Sequence, residues 1–405
     1  MRQSLFCPIV LAFVMQPSAS LLSQGSLTPP GAPAPTFKTL QQVEPRTDLL
    51  ATPAPPGVDT SNASYHYIIN QPGSYYLSAN VNVTKPNGIQ ITAAGVTLDL
   101  GGFTVARSSG TGGFGVDVTA NGNGESVRNG TIKGFAIGLR GVARAISARD
   151  LTATGCTSIG LQVGTSGLVE SCRAYDNTGS YGITADFGSI ISHCTVDGNM
   201  ISDGINLANG GIISHCTAYN NTVNYAMIAG TDSTVEYCTA YSNDSAAPSS
   251  GGISISNGSI VSHCTVRLTT SSAALTATTG VGIAVGSTAT VEYCTVSNNA
   301  GSGIMVTGDG NQVFQNTAAS NAVSVTGGNI HLTAGANGNR IDSNHCTTSS
   351  HGIFVEGNDN LVVRNSAQNS SVANYDIAAG NHDAARVASP GTSFASTSPW
   401  VNFSY

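Results

Sequence analysis

Six cysteines recur at one position of a pattern, apolar-x-x-Cys: Cys172, Cys194, Cys216, Cys238, Cys264 and Cys294. In three of them a histidine comes directly before, at His193, His215 and His263. Thiolate and imidazole are zinc ligands, but zinc needs three or four of them converging on one point. Adjacent residues on a strand face opposite sides, so the His and Cys of one pair diverge. The His position alternates with Tyr237 and Tyr293, which predicts a stack of flat rings. The Cys position passes to Asn316, Asn344 and Asn365, which predicts an inward ladder. No metal site is expected from these columns. Cysteines stacked about 4.8 Å apart are close enough to bridge, and an even number suits an oxidising compartment. Their identical register favours free thiols packed as small buried hydrophobes. Cys156 and Cys346 fall outside the column.

The elements that carry these residues follow from the spacing. From Cys172 to Cys238 the steps are 22, 22 and 22 residues, and the later steps through Asn365 are 26, 30, 22, 28 and 21. A second motif, Gly-apolar-x-apolar, lies between them, as in Gly182-Ile183-Thr184-Ala185 and Gly252-Ile253-Ser254-Ile255. From Gly182 to Gly282 this motif precedes the next Cys by 12 residues, so the length variation falls in loops on one edge, around 242–251 and 267–280. Each short coil buries its apolar residues only against its neighbours. The expected fold is all-β, a single-stranded right-handed parallel β-helix of about 13 coils spanning residues 64–380, a rod about 60 Å long. One difficulty stands: both ends of apolar-x-x-Cys face inward only if the chain bends between them.

The Gly-apolar-x-apolar strand adjoins the variable loops and is taken as the candidate binding sheet. Its outward column includes Asp117, Gln162, Thr184 and Asn206, with Asp186 at the next outward position and Arg140 close by. These six residues form the candidate glycan-binding strip. A glycosidase needs two carboxyl groups about 5–9.5 Å apart. Asp117 and Asp186 are about three coils, roughly 14 Å, apart, and no residue is assigned a catalytic role. Two readings follow. The first is a scaffold that binds polysaccharide or cell-surface glycan. The alternative is a polysaccharide lyase or glycoside hydrolase using the strip from Asp117 to Asn206.

Composition narrows the partners. Only 9% of the 405 residues are charged and the net charge is −7, which excludes nucleic acid, whose phosphates need clustered cations. Residues 174–266 hold no Lys or Arg but include Asp176, Asp197 and Asp203. Calcium, through hard oxygen ligands, is the only cofactor this acidic stretch would suit; Asp176 and Asp197 sit at near-matching positions of adjacent coils, with a solvated face as the plainer reading. Residues 1–20 read as a signal peptide: Arg2, an apolar run from Leu5 to Met15, then Ser18-Ala19-Ser20. The expected location is therefore outside the cytoplasm: periplasmic, extracellular or on the cell surface. No segment reaches transmembrane length. Residues 21–63 form a Pro-rich linker with a short capping helix at 37–43, and 381–405 a C-terminal cap with Phe394, Trp400, Phe403 and Tyr405.

The chain resembles exported bacterial right-handed β-helix repeat proteins of the pectin-lyase-like superfold, over about residues 65–380. The stretch from Gln71 to Leu77 (QPGSYYL), then Val96 to Thr104 (VTLDLGGFT), resembles their opening coils, and Pro399 to Tyr405 (PWVNFSY) their ending. The resemblance implies the fold. It leaves function open among lyases, hydrolases, epimerases and non-enzymatic adhesins, because function lives in sites grafted on folds.

Overall fold

The computed structural model describes residues 46–388, except 108, 111, 121–123, 246, 248, 249 and 273, together with 396–405. The expected signal peptide, the helix at 37–43, the linker up to residue 45 and Phe394 lie outside the described residues.

The described chain is all-β, a right-handed parallel β-helix of about 14 coils. Each coil passes through three strands. In one coil Ile159–Val163 belongs to the first sheet, Leu168–Glu170 to the second and Arg173–Tyr175 to the third. The next coil repeats this in parallel, with Ile159 opposite Tyr181, Leu168 opposite Ile190 and Arg173 opposite Thr195. The coil beyond the expected 13 begins at Tyr65–Ile69, which pairs with Asn87–Ile91 but lacks the Gly-apolar-x-apolar signature. Residues 46–63, grouped with the linker by composition, also enter the sheets. Thr47–Asp48 pairs in parallel with Tyr75 and Tyr76, and Val58–Asp59 pairs antiparallel with Ile68 and Ile69. At the far end Asn402–Ser404 pairs with Arg386–Ala388, and its Phe403 and Ser404 lie against Ser366 and Ala367.

The Gly of the first-sheet motif has a steric cause. A Cβ on Gly160 would lie 2.4 Å from the carbonyl oxygen of Gly182, and one on Gly204 the same distance from that of Ala226. The motif's two apolar positions point inward, where Leu161, Ile183 and Ile205 are fully buried.

The bend that apolar-x-x-Cys requires is made by a left-handed residue. Ser171, His193, His215, Tyr237, His263 and Tyr293, each directly before the Cys, have φ of 52–54°. This turns the corner between the second and third sheets in one residue and sends Cys inward. The thiols then stand in for amides. The Cys194 N–H donates to Cys216 Sγ at 3.5 Å, that of Cys216 to Cys238 Sγ at 3.4 Å, and that of Cys294 to Asn316 Oδ1 at 2.9 Å. Asn316, Asn344, Asn365 and Asn402 continue the ladder into the C-terminal segment. The corner between the third and first sheets carries its own ladder. Asn221 Oδ1 accepts both the backbone N–H (3.1 Å) and the side-chain amide (2.8 Å) of Asn199, and Asn221 Nδ2 donates to Val196 O and Asn243 Oδ1. Cys156 heads this second ladder, donating its N–H to Asn177 Oδ1.

The eight cysteines from Cys156 to Cys346 are free and buried. Burial pushes the Cys156 thiol up to about 11 and the Cys346 thiol higher still. Cys172, Cys216 and Cys264 are held well above the ordinary value by the neighbouring thiols of the column, then by burial.

Asn221→Ala strands the backbone N–H of Asn199 and removes the side-chain donor to Val196 O, and should cost about 3 kcal/mol, read as a lowered thermal midpoint. A midpoint unchanged within error would show that the ladder does not hold the coils together. The eight buried thiols should resist an alkylating reagent in the native protein and react on unfolding. Rapid native labelling, or faster migration on a non-reducing gel, would contradict the free-thiol column.

Candidate functional site

The outward column of the first sheet is continuous in register. Asp117, Arg140, Gln162, Thr184 and Asn206 occupy five consecutive coils. The candidate strip is thus a real row of neighbours, and Arg140 belongs to it rather than beside it. Asp186 lies two residues beyond Thr184 and is exposed. Thr184 Oγ1 donates to Asn206 Oδ1 at 3.3 Å.

Asp117 is only 1% exposed and already engaged. The Tyr65 hydroxyl donates to its Oδ2 at 2.5 Å and Arg140 Nη1 to its Oδ1 at 3.2 Å. The Arg140 guanidinium also lies over the Phe114 ring, 4.8 Å from its centroid. Burial, then the bond to Asp117, pushes the Tyr65 phenol far up, so it stays a donor. A carboxylate sealed by a phenol and a guanidinium is poorly placed to take a proton from substrate or water. Tyr65 was invisible from sequence as its partner, because it reaches across two coils from a strand without the repeat motif.

Of the acidic residues considered for calcium, Asp176 is exposed and Asp197 is engaged. Asp197 accepts from Arg173 Nε and Nη2 at 2.9 and 2.8 Å. Among the described residues no group of three or more His, Cys, Asp or Glu is arranged to hold a metal ion.

Further along the same face the repeat is interrupted, and the surface becomes concave. A groove of about 470 Å³ is lined by Tyr225, Thr231, Ser254, Asn257, Met305 and Thr307, among others. The long insertions at 242–251 and 267–280 belong to the coils that form it. Its floor is apolar: Ala284 and Met305, both in the outward column, pack with Val281 and against Tyr225. Burial pushes the Tyr225 phenol up, against a hydrogen bond with Ser254. The Tyr225 N–H donates to Asp203 Oδ1 at 3.2 Å, and burial raises the Asp203 carboxyl. The column reads as bland in sequence here, because the groove is made by individually ordinary outward residues and turns of neighbouring coils: Ser254, Ala284 and Met305 with Thr231, Asn257 and Thr307.

The last coils hold a cluster built on the same outward column, where His331 and Phe354 are neighbours and Glu356 is at the next outward position. His331 Nδ1 lies 3.1 Å from Ser302 Oγ and its Nε2 lies 3.0 Å from Glu356 Oε2. His331 and His351 stack on the Phe354 ring at 4.8 and 4.6 Å. His351 Nε2 lies 3.5 Å from Asp376 Oδ2, and its Nδ1 lies 3.0 Å from Gly327 O. The order Ser302, His331, Glu356 has the residue types of a nucleophilic triad. Ser302 is fully buried, however, which makes the arrangement a clamp on the imidazole.

The family described as the right-handed β-helix region matches residues 135–285, 203–318 and 279–381. The chain belongs to the right-handed β-helix family. Among solved structures, this β-helix protein is similar to two Azotobacter vinelandii mannuronan C-5 epimerase A-modules. For AlgE6 the identity is 13% and the TM-score 0.47, covering 82% of this chain and 91% of that one. For AlgE4 the identity is 16% and the TM-score 0.42, covering 77% and 87%. The Dettilon tailspike protein is similar at 15% identity and a TM-score of 0.36, covering 82% and 62%. At these identities the likeness is one of fold. No curated protein matches. No helix among the described residues is long and apolar enough to cross a membrane.

Burial lowers the His331 pKa below its ordinary 6.5, outweighing the bond to Glu356. Below pH 6.5 the folded chain then binds fewer protons than the unfolded chain, so stability rises with pH through that window and falls on acidification. The thermal midpoint should drop between pH 7 and pH 5, and the drop should be smaller in His331→Gln. Equal drops in the two proteins would remove His331 from the linkage.

Proposed function

We propose that this protein is an exported β-helix scaffold that binds neutral glycan, free or on a cell surface, in the groove on the outward face of the first sheet. The observation that carries this reading is the groove's make-up. It combines a half-buried aromatic ring (Tyr225), an apolar floor (Met305, Ala284) and short neutral hydrogen-bonding groups (Ser254, Asn257, Thr231, Thr307). Sugars present apolar C–H faces and hydroxyl edges, and such a surface answers both. None of the residues lining the groove is Lys or Arg, and 174–266 contain none. A polyuronate would find no counter-charge there.

A second reading, polysaccharide cleavage, is favoured by Glu356 and Asp376. Both carboxylates are substantially exposed, at 42% and 51% of their side chains. They sit one coil and two residues apart, roughly 8 Å between Cα atoms by strand geometry, a spacing compatible with an acid and a base flanking a water. On this second reading the hydrolytic site would lie at 331–376, apart from Asp117, whose carboxylate is already engaged by Tyr65 and Arg140.

Titration calorimetry with neutral oligosaccharides should show binding that weakens at least tenfold in Tyr225→Ala and Asn257→Ala, with no new reducing ends after prolonged incubation. Unaltered affinity in both variants would rule the groove out. Reducing ends that appear with wild type and vanish in Glu356→Gln would replace the scaffold reading with the hydrolytic one.

A further inference from the structure

The corner between the second and third sheets carries five rings in a row. His193, His215, Tyr237, His263 and Tyr293 stack with centroids 4.9, 5.1, 4.9 and 5.0 Å apart and interplanar angles of 7–23°. The row ends at Phe314, which meets Tyr293 edge-on at 72°. Stacking along the helix axis turns the ring faces toward one another and the ring edges to solvent. All five residues are exposed, Tyr237 and Tyr293 about half so.

Folding alone does not explain these rings. The corner needs a left-handed residue, and bulky side chains adopt that conformation reluctantly. Ser171 and Ser343 turn the same corner at φ of 54° and 57° with a small side chain. Five consecutive coils nevertheless place an aromatic ring there, in contact with water, and at two of them the ring is Tyr, which takes the left-handed conformation less readily than His.

The flanking columns keep the same period. On one side the second sheet exposes Ile190, Ile212 and Ile260, each about 40% accessible, with Thr234 between the last two. On the other side the third sheet presents an unbroken threonine row: Thr195, Thr217, Thr239, Thr265 and Thr295. Between the isoleucines and the rings the second sheet carries Ser192, Ser214, Glu236, Ser262 and Glu292, so the strip has one apolar, one polar-to-acidic, one aromatic and one hydroxyl column, all repeating once per coil. An extended chain of equatorially linked pyranoses advances by about one such step per sugar. Its C–H faces would meet the isoleucines, and its hydroxyls would meet the Tyr, His and Thr edges. Lys and Arg are missing from 174–266, and Glu236 and Glu292 stand in the strip, which disfavours an anionic polymer and points to a neutral one.

We infer that this strip is a binding rail for an extended neutral polysaccharide running parallel to the helix axis, about one sugar to each coil. It is separate from the first-sheet groove and adds to the glycan-binding reading a surface that would hold a polymer rather than a short oligosaccharide.

The test is a pull-down on insoluble cellulose and on insoluble mannan, comparing wild type with the triple variant His215→Ser, Tyr237→Ser, Tyr293→Ser. Serine already closes this corner at Ser171 and Ser343, so the variant should fold with an unchanged thermal midpoint. Retention on at least one of the two polymers should fall at least tenfold in the triple variant, while Tyr225→Ala keeps it. Soluble oligosaccharide binding in the groove should respond the opposite way, so the two readings fail separately. Wild type that binds neither polymer, or a triple variant that binds as well as wild type, overturns the rail. So does a wild-type dimer that the triple variant dissolves, since the strip would then be covered by a second copy. Retention abolished by a chelator and restored by zinc would assign the histidines to a metal and likewise overturn it.

Discussion

Everything in this rod depends on a corner. A left-handed residue reverses the chain's direction, and the residue after it sends an amide or thiol into the interior, where it accepts the N–H of the preceding coil. Without that acceptor each turn would bury a backbone donor with no partner, at a cost of about 1–3 kcal/mol. Three such corners in each regular coil hold three sheets at fixed angles, the third carrying Ser189, Ser233, Ser259 and Asn311. The apolar columns then fill the space between them. Asn and Cys exchange within one ladder because the position asks for a small buried acceptor with room for nothing larger. Asn supplies the stronger acceptor and also donates back. Cys supplies a weaker bond and more apolar surface.

This division explains the composition. Identical positions recur at every coil, so a charged column would place like charges side by side. Outward positions are held instead by Ser, Thr, Asn and small apolar residues. Many of the arginines that remain are paired with carboxylates, across coils as Arg140 with Asp117, Arg173 with Asp197 and Arg364 with Asp342, or within a strand as Arg340 with Asp342. Asp342 shows the pattern well: burial opposes its ionisation, but two guanidiniums and Ser343 hold its carboxyl below the usual range. Such ions are committed to the fold, and recognition has to work with neutral groups and rings.

How much of this was legible in the sequence varies with distance along the chain. The fold and the register of the first sheet follow from local signals, since Gly, the inward pair and the Cys or Asn rung all fall within one coil. That is why Asp117, Gln162, Thr184 and Asn206 could be placed in one column before any coordinates. The state of those residues was not legible. Asp117 is sealed by Tyr65, a residue 52 positions away in a coil whose strand lacks the glycine. Ser302 meets His331 across 29 residues of irregular spacing. The groove at Tyr225 and Met305 is lined by strand and turn residues of several coils, and the repeat gives their register but not the depth of the surface between them.

The period itself indicates where to look for activity. A regular coil presents the same neighbours again and again, so it can bind a polymer along its length but cannot gather unlike groups at one point. Gathering unlike groups requires a break in the period. Between Cys172 and Cys238 the steps are uniform, and the aromatic rail begins in these uniform coils. The steps of 26 and 30 residues, and the later one of 28, bracket the groove and the His331 cluster. The rod thus separates two kinds of surface, a repetitive one suited to length and an interrupted one suited to selectivity, and the corner ladders let the two coexist because both kinds of coil keep the same interior.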